Sequence, residues 1–350
     1  VLLHIVGSVL DSMLGILPFG RVIATVAIWF FLVNIQNKNL RHIGICIAGC
    51  MITVFIMYSL DTSYQGTILL NELLLLYVFW ICQKAYVEPV KYCHLKKVSF
   101  KSILLIIVAA IFLFIIADYV NACSMIVFQN LLDDSLQAII NRPVEAIIAV
   151  AILPAIIEEF LFRGIIYRGI ANKNNKTTAI AISALLFALL HMNFNQMCYA
   201  FVMGLVFALV VYLTDNLTVS ILLHMLFNAF TVTITCFQQT KAIQAILRCN
   251  IAGYTLFNPS LTNTQGKIEI NLLLMGALIA ILSAIIAGWL IVLIVKAEKE
   301  KMIETTRNKE VIPKDDDNIF ENKEKWKPDL RFFAGIGLCI LIAILYEILL

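Results

Sequence analysis

Ile157-Glu158-Glu159-Phe160-Leu161-Phe162-Arg163 sets two adjacent carboxylates and a guanidinium inside an apolar stretch running from 144 to 167. A charge placed at the centre of a bilayer costs roughly 2.5–3.5 kcal/mol on insertion scales, so three ionisable groups within one apolar run ask for a function. Helical neighbours lie three or four residues apart. Glu159 and Arg163 therefore share a face and can pair. Glu158 is turned by about 100° and finds no such partner within its own helix. Pro154 stands four residues before Glu158 and cannot donate to the carbonyl of Val150. A kink or local opening is expected there, beside the carboxylates.

Outward from this stretch the chain stays apolar. Of its 350 residues 61% are hydrophobic and 14% charged, against about 25% charged in a soluble domain. A membrane span needs about 20 apolar residues. Runs of that kind fall at 21–36, 43–60, 67–86, 102–122, 144–167, 177–192, 197–214, 217–236, 270–295 and 332–350. The sequence thus predicts an all-α polytopic bundle of about ten spans. Residues 1–17 form either one more span or an interfacial helix. They show no basic n-region and no small-residue cleavage site, so no cleavable signal peptide is expected.

Lys and Arg alternate sides along these spans. With the 37–42 link placed in the cytoplasm, that side holds Lys38 and Arg41, then Lys91, Lys96, Lys97 and Lys101. It also holds Arg168, Lys173 and Lys176, and every basic residue from Lys296 to Arg331. Only Arg21, Arg142, Lys241, Arg248 and Lys267 fall opposite, which fits the positive-inside rule. Residues 296–331 carry equal numbers of acidic and basic groups and read as a solvated cytoplasmic linker, helical in part. Residues 237–269 read as an external loop. The divisions are N-terminal scaffold spans over 1–136, a polar membrane core over 137–236, the loop over 237–269, and C-terminal spans with their linker over 270–350. The net charge of +3 and the lack of a basic, aromatic-interleaved stripe argue against nucleic acid as a partner. Nine scattered cysteines without a CxxC read as small buried hydrophobes.

Two further apolar runs each carry a histidine. Phe187 and His191 share one face of the 177–192 span, and His224 and Asn228 share one face of the 217–236 span. Counted from the cytoplasmic ends at 1.5 Å per residue, Glu158, His191 and Asn228 lie at depths that agree within roughly 6 Å. A carboxylate, two histidines and an asparagine around one cavity suit peptide hydrolysis. Glu158 activates a water, His191 orients it, and His224 and Asn228 donate to the developing oxyanion. The same Glu158, His191 and His224 also make a candidate zinc-binding set, although no HExxH helix supports it.

Glu158-Glu159-xxx-Arg163, Phe187-xxx-His191 and His224-xxx-Asn228, in that order on successive apolar segments, resemble the three-motif signature of the CPBP intramembrane proteases. That family includes the type II CAAX prenyl endopeptidases and the Abi proteins, some of them linked to bacteriocin self-immunity. The resemblance covers residues 144–236. It implies an all-helical membrane protease, in which Glu158 and His191 hold the water and His224 and Asn228 form the oxyanion site. Glu159, Arg163 and Phe187 would support them. It leaves a divalent metal such as zinc open, and no cofactor is otherwise called for. The Ile-, Lys- and Asn-rich loops read as bacterial, which places the chain in a plasma membrane. A peptide, a leader sequence or the tail of another membrane protein then fits as substrate better than a prenylated CAAX protein. Two other classes compete: a non-catalytic scaffold or immunity protein acting by partner binding, and a transporter using Glu158 and Glu159 as a proton relay. Against the transporter stands the lack of an inverted repeat or paired broken helices.

Overall fold

A computed structural model describes residues 92–128, 141–171, 175–189, 191, 193–307 and 330–349. The expected spans at 21–36, 43–60 and 67–86, the 1–17 segment, and residues 308–329 of the charged linker lie outside the described residues.

Local sequence signals start and stop the helices. Ser99 caps α1 (Phe100–Ser124), its Oγ accepting from the Ser102 amide at 3.0 Å. The polar core follows as one helical run with changing hydrogen-bond register: α2 (Pro143–Ala146), π1 (Ile147–Ile152), α3 (Leu153–Glu159), π2 (Phe160–Tyr167) and α4 (Arg168–Ala171). Pro154 stands at the start of α3. A proline denies a backbone donor to the preceding turn, and the wider π register just before it is one way a helix absorbs that loss.

Next come α5 (Lys176–Leu189), α6 (Phe194–Thr214) and α7 (Leu217–Phe237). The expected 177–192 span is shorter than its apolar run. Asn193 takes the N-cap of α6, accepting from the Gln196 amide at 2.9 Å, so the chain reverses before it. The 14 residues of α5 reach about 21 Å at 1.5 Å per residue, less than the roughly 30 Å of a bilayer core. Asp215, in left-handed geometry at φ 49°, and Asn216, which caps α7, make the tight turn between α6 and α7.

Residues 237–269 are a folded cap rather than a plain loop. Helix α8 (Lys241–Leu247) leads into a hairpin of β1 (Asn250–Ile251) and β2 (Tyr254–Thr255). The turn residues Ala252 and Gly253 have φ of 50° and 86°, as a tight two-residue hairpin requires. Tyr254 is buried, and the Asn258 amide donates to Asp118 Oδ2 at 3.0 Å. The cap therefore packs on the C-terminal end of α1. Helix α9 (Ile270–Arg307) is 38 residues long and carries its helical turns well into the charged linker. Helix α10 (Leu330–Leu349) ends the described chain.

Among the described residues, four helices are long and apolar enough to cross a membrane: α1, α6, α7 and the Ile270–Ile303 part of α9. They share one apolar core. Phe114 of α1 meets Phe227 and Phe230 of α7 and Phe257 of the cap, with ring centroids 5.9, 4.7 and 6.1 Å away. Basic residues gather at the opposite end of this bundle. Asp215 accepts from His94 Nδ1 and Lys96 Nζ, each at 2.8 Å, and from Arg168 at 3.1 Å. Beside it Glu298 of α9 accepts from the Ser99 amide at 2.9 Å and from Asn216 Nδ2 at 3.2 Å. Burial works to raise Asp215, but the hydrogen bonds from His94 and Lys96 and the nearby Arg168 charge outweigh it and hold the carboxyl well below the usual carboxylate range.

Candidate active site

The site begins with the expected i, i+4 pair. Arg163 donates from one terminal nitrogen to Glu159 Oε1 at 2.7 Å, and both side chains are fully buried. The other terminal nitrogen donates to the Gly204 carbonyl of α6 at 3.0 Å. That backbone comes within reach because position 204 has no side chain. A Cβ there would stand 3.0 Å from the Ala184 Cα of α5. The guanidinium also lies over the rings of Phe187 and Phe207, at 4.4 and 5.4 Å from their centroids, where the ring faces attract a cation.

Glu159 accepts two further bonds. Ser220 Oγ of α7 donates to Oε2 at 2.7 Å, and His224 Nδ1 donates to Oε1 at 3.0 Å. A buried carboxylate persists only when its lone pairs are met. Here guanidinium, hydroxyl and imidazole from two segments converge on it. Ser220 is a site residue that the three motifs do not mark. Its spacing to His224 is i, i+4, so the face that carries the imidazole also carries the hydroxyl.

Glu158 faces elsewhere. Its side chain is 19% exposed against none for Glu159, and Oε2 lies 3.9 Å from His224 Nε2. His224 is buried, stacked on Phe207 at 4.8 Å between centroids and edge-on to Phe187 at 5.6 Å. A carboxylate therefore stands at each ring nitrogen of one immobilised imidazole. At 3.9 Å the Nε2 contact is longer than a direct hydrogen bond, and such separations are commonly bridged by a water bonded to both groups.

His191 and Asn228 sit differently from the sequence expectation. His191 lies beyond the end of α5, in a turn whose amide donates to the Ala188 carbonyl at 3.0 Å. The Phe187 partnership holds despite the ended helix, with ring centroids 5.1 Å apart. His191 Nδ1 donates to the Phe187 carbonyl at 3.0 Å. In the neutral ring this leaves Nε2 as the acceptor. The Phe187 ring thus touches His191, His224 and the Arg163 guanidinium together. Asn228 Nδ2 donates to the Val150 carbonyl at 3.2 Å, in the π-helical turn just before Pro154. Among the described residues, no three His, Cys, Asp or Glu side chains gather as metal ligands. His224 Nδ1 is committed to Glu159, which leaves Nε2 as the ring atom that faces Glu158.

The family model for Rce1-like type II CAAX prenyl endopeptidases matches residues 140–230. The chain is also 34% identical over 116 residues to the membrane-embedded CAAX protease MroQ of Staphylococcus aureus (strain USA300). That alignment covers 31% of this chain and 47% of the relative, so the chain spans about half the length of the curated relative it matches. No solved structure matches the chain. Residues 140–230, where the paired glutamates, the arginine and both histidines stand in that order, are thus similar to the CAAX-type membrane proteases.

Proposed function

We propose that residues 137–236 form an intramembrane endopeptidase core in which Glu158 activates a water. The observation that carries this reading is the single buried imidazole held between two carboxylates with unlike surroundings. Glu159 is fully engaged by Arg163, Ser220 and His224, whereas Glu158 reaches partial exposure beside Nε2 of the same ring. The engaged carboxylate fixes the ring, and the other serves as the base.

In the proposed reaction the water oxygen attacks the peptide carbonyl carbon while its proton passes to Glu158. His191 Nε2 orients the water. The carbonyl oxygen becomes an oxyanion, received by the Asn228 N–H that does not bond Val150 and by Nε2–H of His224 in its doubly protonated form, whose Nδ1–H stays on Glu159. The tetrahedral intermediate then collapses, the C–N bond breaks, and Glu158 returns the proton to the leaving amine. Positioned general bases contribute about 10²- to 10⁴-fold. The substrate is a peptide or the tail of another membrane protein, and bacteriocin self-immunity is one setting for such cleavage. The core sits within about ten spans of a bacterial plasma membrane and opens toward the cytoplasm.

The test compares new peptide termini in membranes from cells carrying wild-type protein or Glu158→Gln at matched expression. The expected outcome is a set of termini present with wild type and reduced at least about 100-fold with Glu158→Gln, at equal protein abundance and melting temperature. Identical termini in both would favour a non-catalytic scaffold acting by partner binding, for which the fully buried Glu159–Arg163 pair would be the essential part.

A further inference from the structure

We infer that Asn228 is a positioning residue for Glu158: its side-chain amide substitutes for the backbone donor that Pro154 removes, and so fixes the helix that carries the carboxylate. In α-helical register the Val150 carbonyl would accept from residue 154. Val150 itself lies in the π register of Ile147–Ile152, where the Leu153 N–H donates to the Ile148 carbonyl, and α register resumes at Leu153. Because proline has no N–H, the Ala149–Ala151 carbonyls at this junction are short of a backbone donor. A carbonyl left without a partner inside a membrane bundle is costly, because no water replaces the lost donor. Asn228 Nδ2 comes across from α7 and donates to that carbonyl at 3.2 Å.

The geometry makes this more than local satisfaction. Val150 and Glu158 stand on one helical run, two turns apart, with Pro154 midway between them. His224 and Asn228 are successive on one face of α7, one turn apart. The two helices therefore touch twice. His224 meets both glutamates, and Asn228 meets the carbonyl one turn before the proline. The first contact sets the spacing at the carboxylates. The second prevents the pre-proline turns from pivoting about Pro154, which would swing Glu158 relative to Nε2. An amide has two N–H groups. One is committed to Val150, so this role coexists with the oxyanion role proposed above.

Restoring the missing backbone donor tests the inference. Asn228→Ala and the double variant Asn228→Ala/Pro154→Ala are compared with wild type in the full-length protein. The readouts are melting temperature in detergent and the rate at which the wild-type-dependent peptide termini appear per molecule of protein. The expected result is a lower melting temperature in Asn228→Ala, regained in the double variant, together with an at least tenfold recovery of rate over the single variant. A residue acting only on the oxyanion would gain nothing from Pro154→Ala, so no recovery of rate overturns the inference. Recovered melting temperature without recovered rate overturns it too, by reducing the bond to plain support. If Asn228→Ala does not accumulate in membranes, accumulation becomes the readout, and failure of Pro154→Ala to restore it is equally decisive. The activity arm rests on the protease reading. The thermal arm does not, so loss of one is distinguishable from loss of the other.

Discussion

Two networks of charge lie at different levels of this molecule. At the bundle's basic end, Asp215 is shared by His94, Lys96 and Arg168, and roughly half of its side chain is exposed. In the interior, Glu159 is shared by Arg163, Ser220 and His224 with no exposure at all. Both place one carboxylate among several donors. At the exposed site water competes for every partner, and losing one partner returns the group to solvent. In the interior no replacement exists, so each partner is needed by the others. Identical chemistry thus gives a tolerant joint at the end of the bundle and a brittle one at its centre.

The sharpest way to break this contrast is Arg163→Ala. It strands a carboxylate, and removing one partner of a buried pair typically costs about 3–5 kcal/mol. Unfolding of the purified protein in mixed micelles should show that loss. A cost no larger than that of an exposed pair, about 0–1 kcal/mol, would erase the distinction. Arg163→Lys should recover only part of it, because a point charge cannot reach both Glu159 and the Gly204 carbonyl as the guanidinium fork does.

Ser220→Ala sharpens the comparison at smaller scale. It removes one donor from Glu159 Oε2, with an expected cost of about 1–3 kcal/mol, and Ser220→Thr should restore most of it. The same micellar unfolding measurement reads both. The smallest effect is expected at Asp215. Its folded-state carboxyl is held below its ordinary value, so its contribution is present above the unfolded value, near pH 4, and disappears as pH falls through the folded value. Melting temperature followed downward from pH 6 should therefore drop less steeply below about pH 4 in Asp215→Asn than in wild type. An unchanged acid limb would show that the exposed joint contributes nothing.

Much of the interior network is legible in the chain itself. Two glutamates and an arginine at i and i+4 within an apolar run point to one paired and one differently placed carboxylate, and the structure has Glu159 on Arg163 and Glu158 turned toward His224 Nε2. Ser220 is not legible by type, since serine is common in apolar helices, but its i, i+4 spacing to His224 is a usable signal. Hydrophobicity alone carries α5 past its end. The stop lies in Asn193, whose capping bond to Gln196 starts the next helix and leaves His191 in a turn. The cap over 237–269 has its own signals in Thr240, which caps α8, and in the Ala252–Gly253 turn. These are outweighed by the polar composition of the segment. Asn228 is the hardest to foresee. Spacing aligns it with His224, but only the approach of a second helix with a proline-deprived carbonyl gives its amide a partner.

Helix α9 has a mechanical consequence. At 1.5 Å per residue its 38 residues make a rod of about 57 Å, almost twice a bilayer core of about 30 Å. Glu298 pins it to the Ser99 and Asn216 turns. Beyond the pin the rod continues to Arg307 as a short handle, and before it the long arm runs to Ile270, beneath the folded cap. That arm is packed into the shared core through Ile279, Ala287, Leu290, Ile291 and Ile294, so a pull on the charged handle is borne along the whole helix rather than at the pin alone.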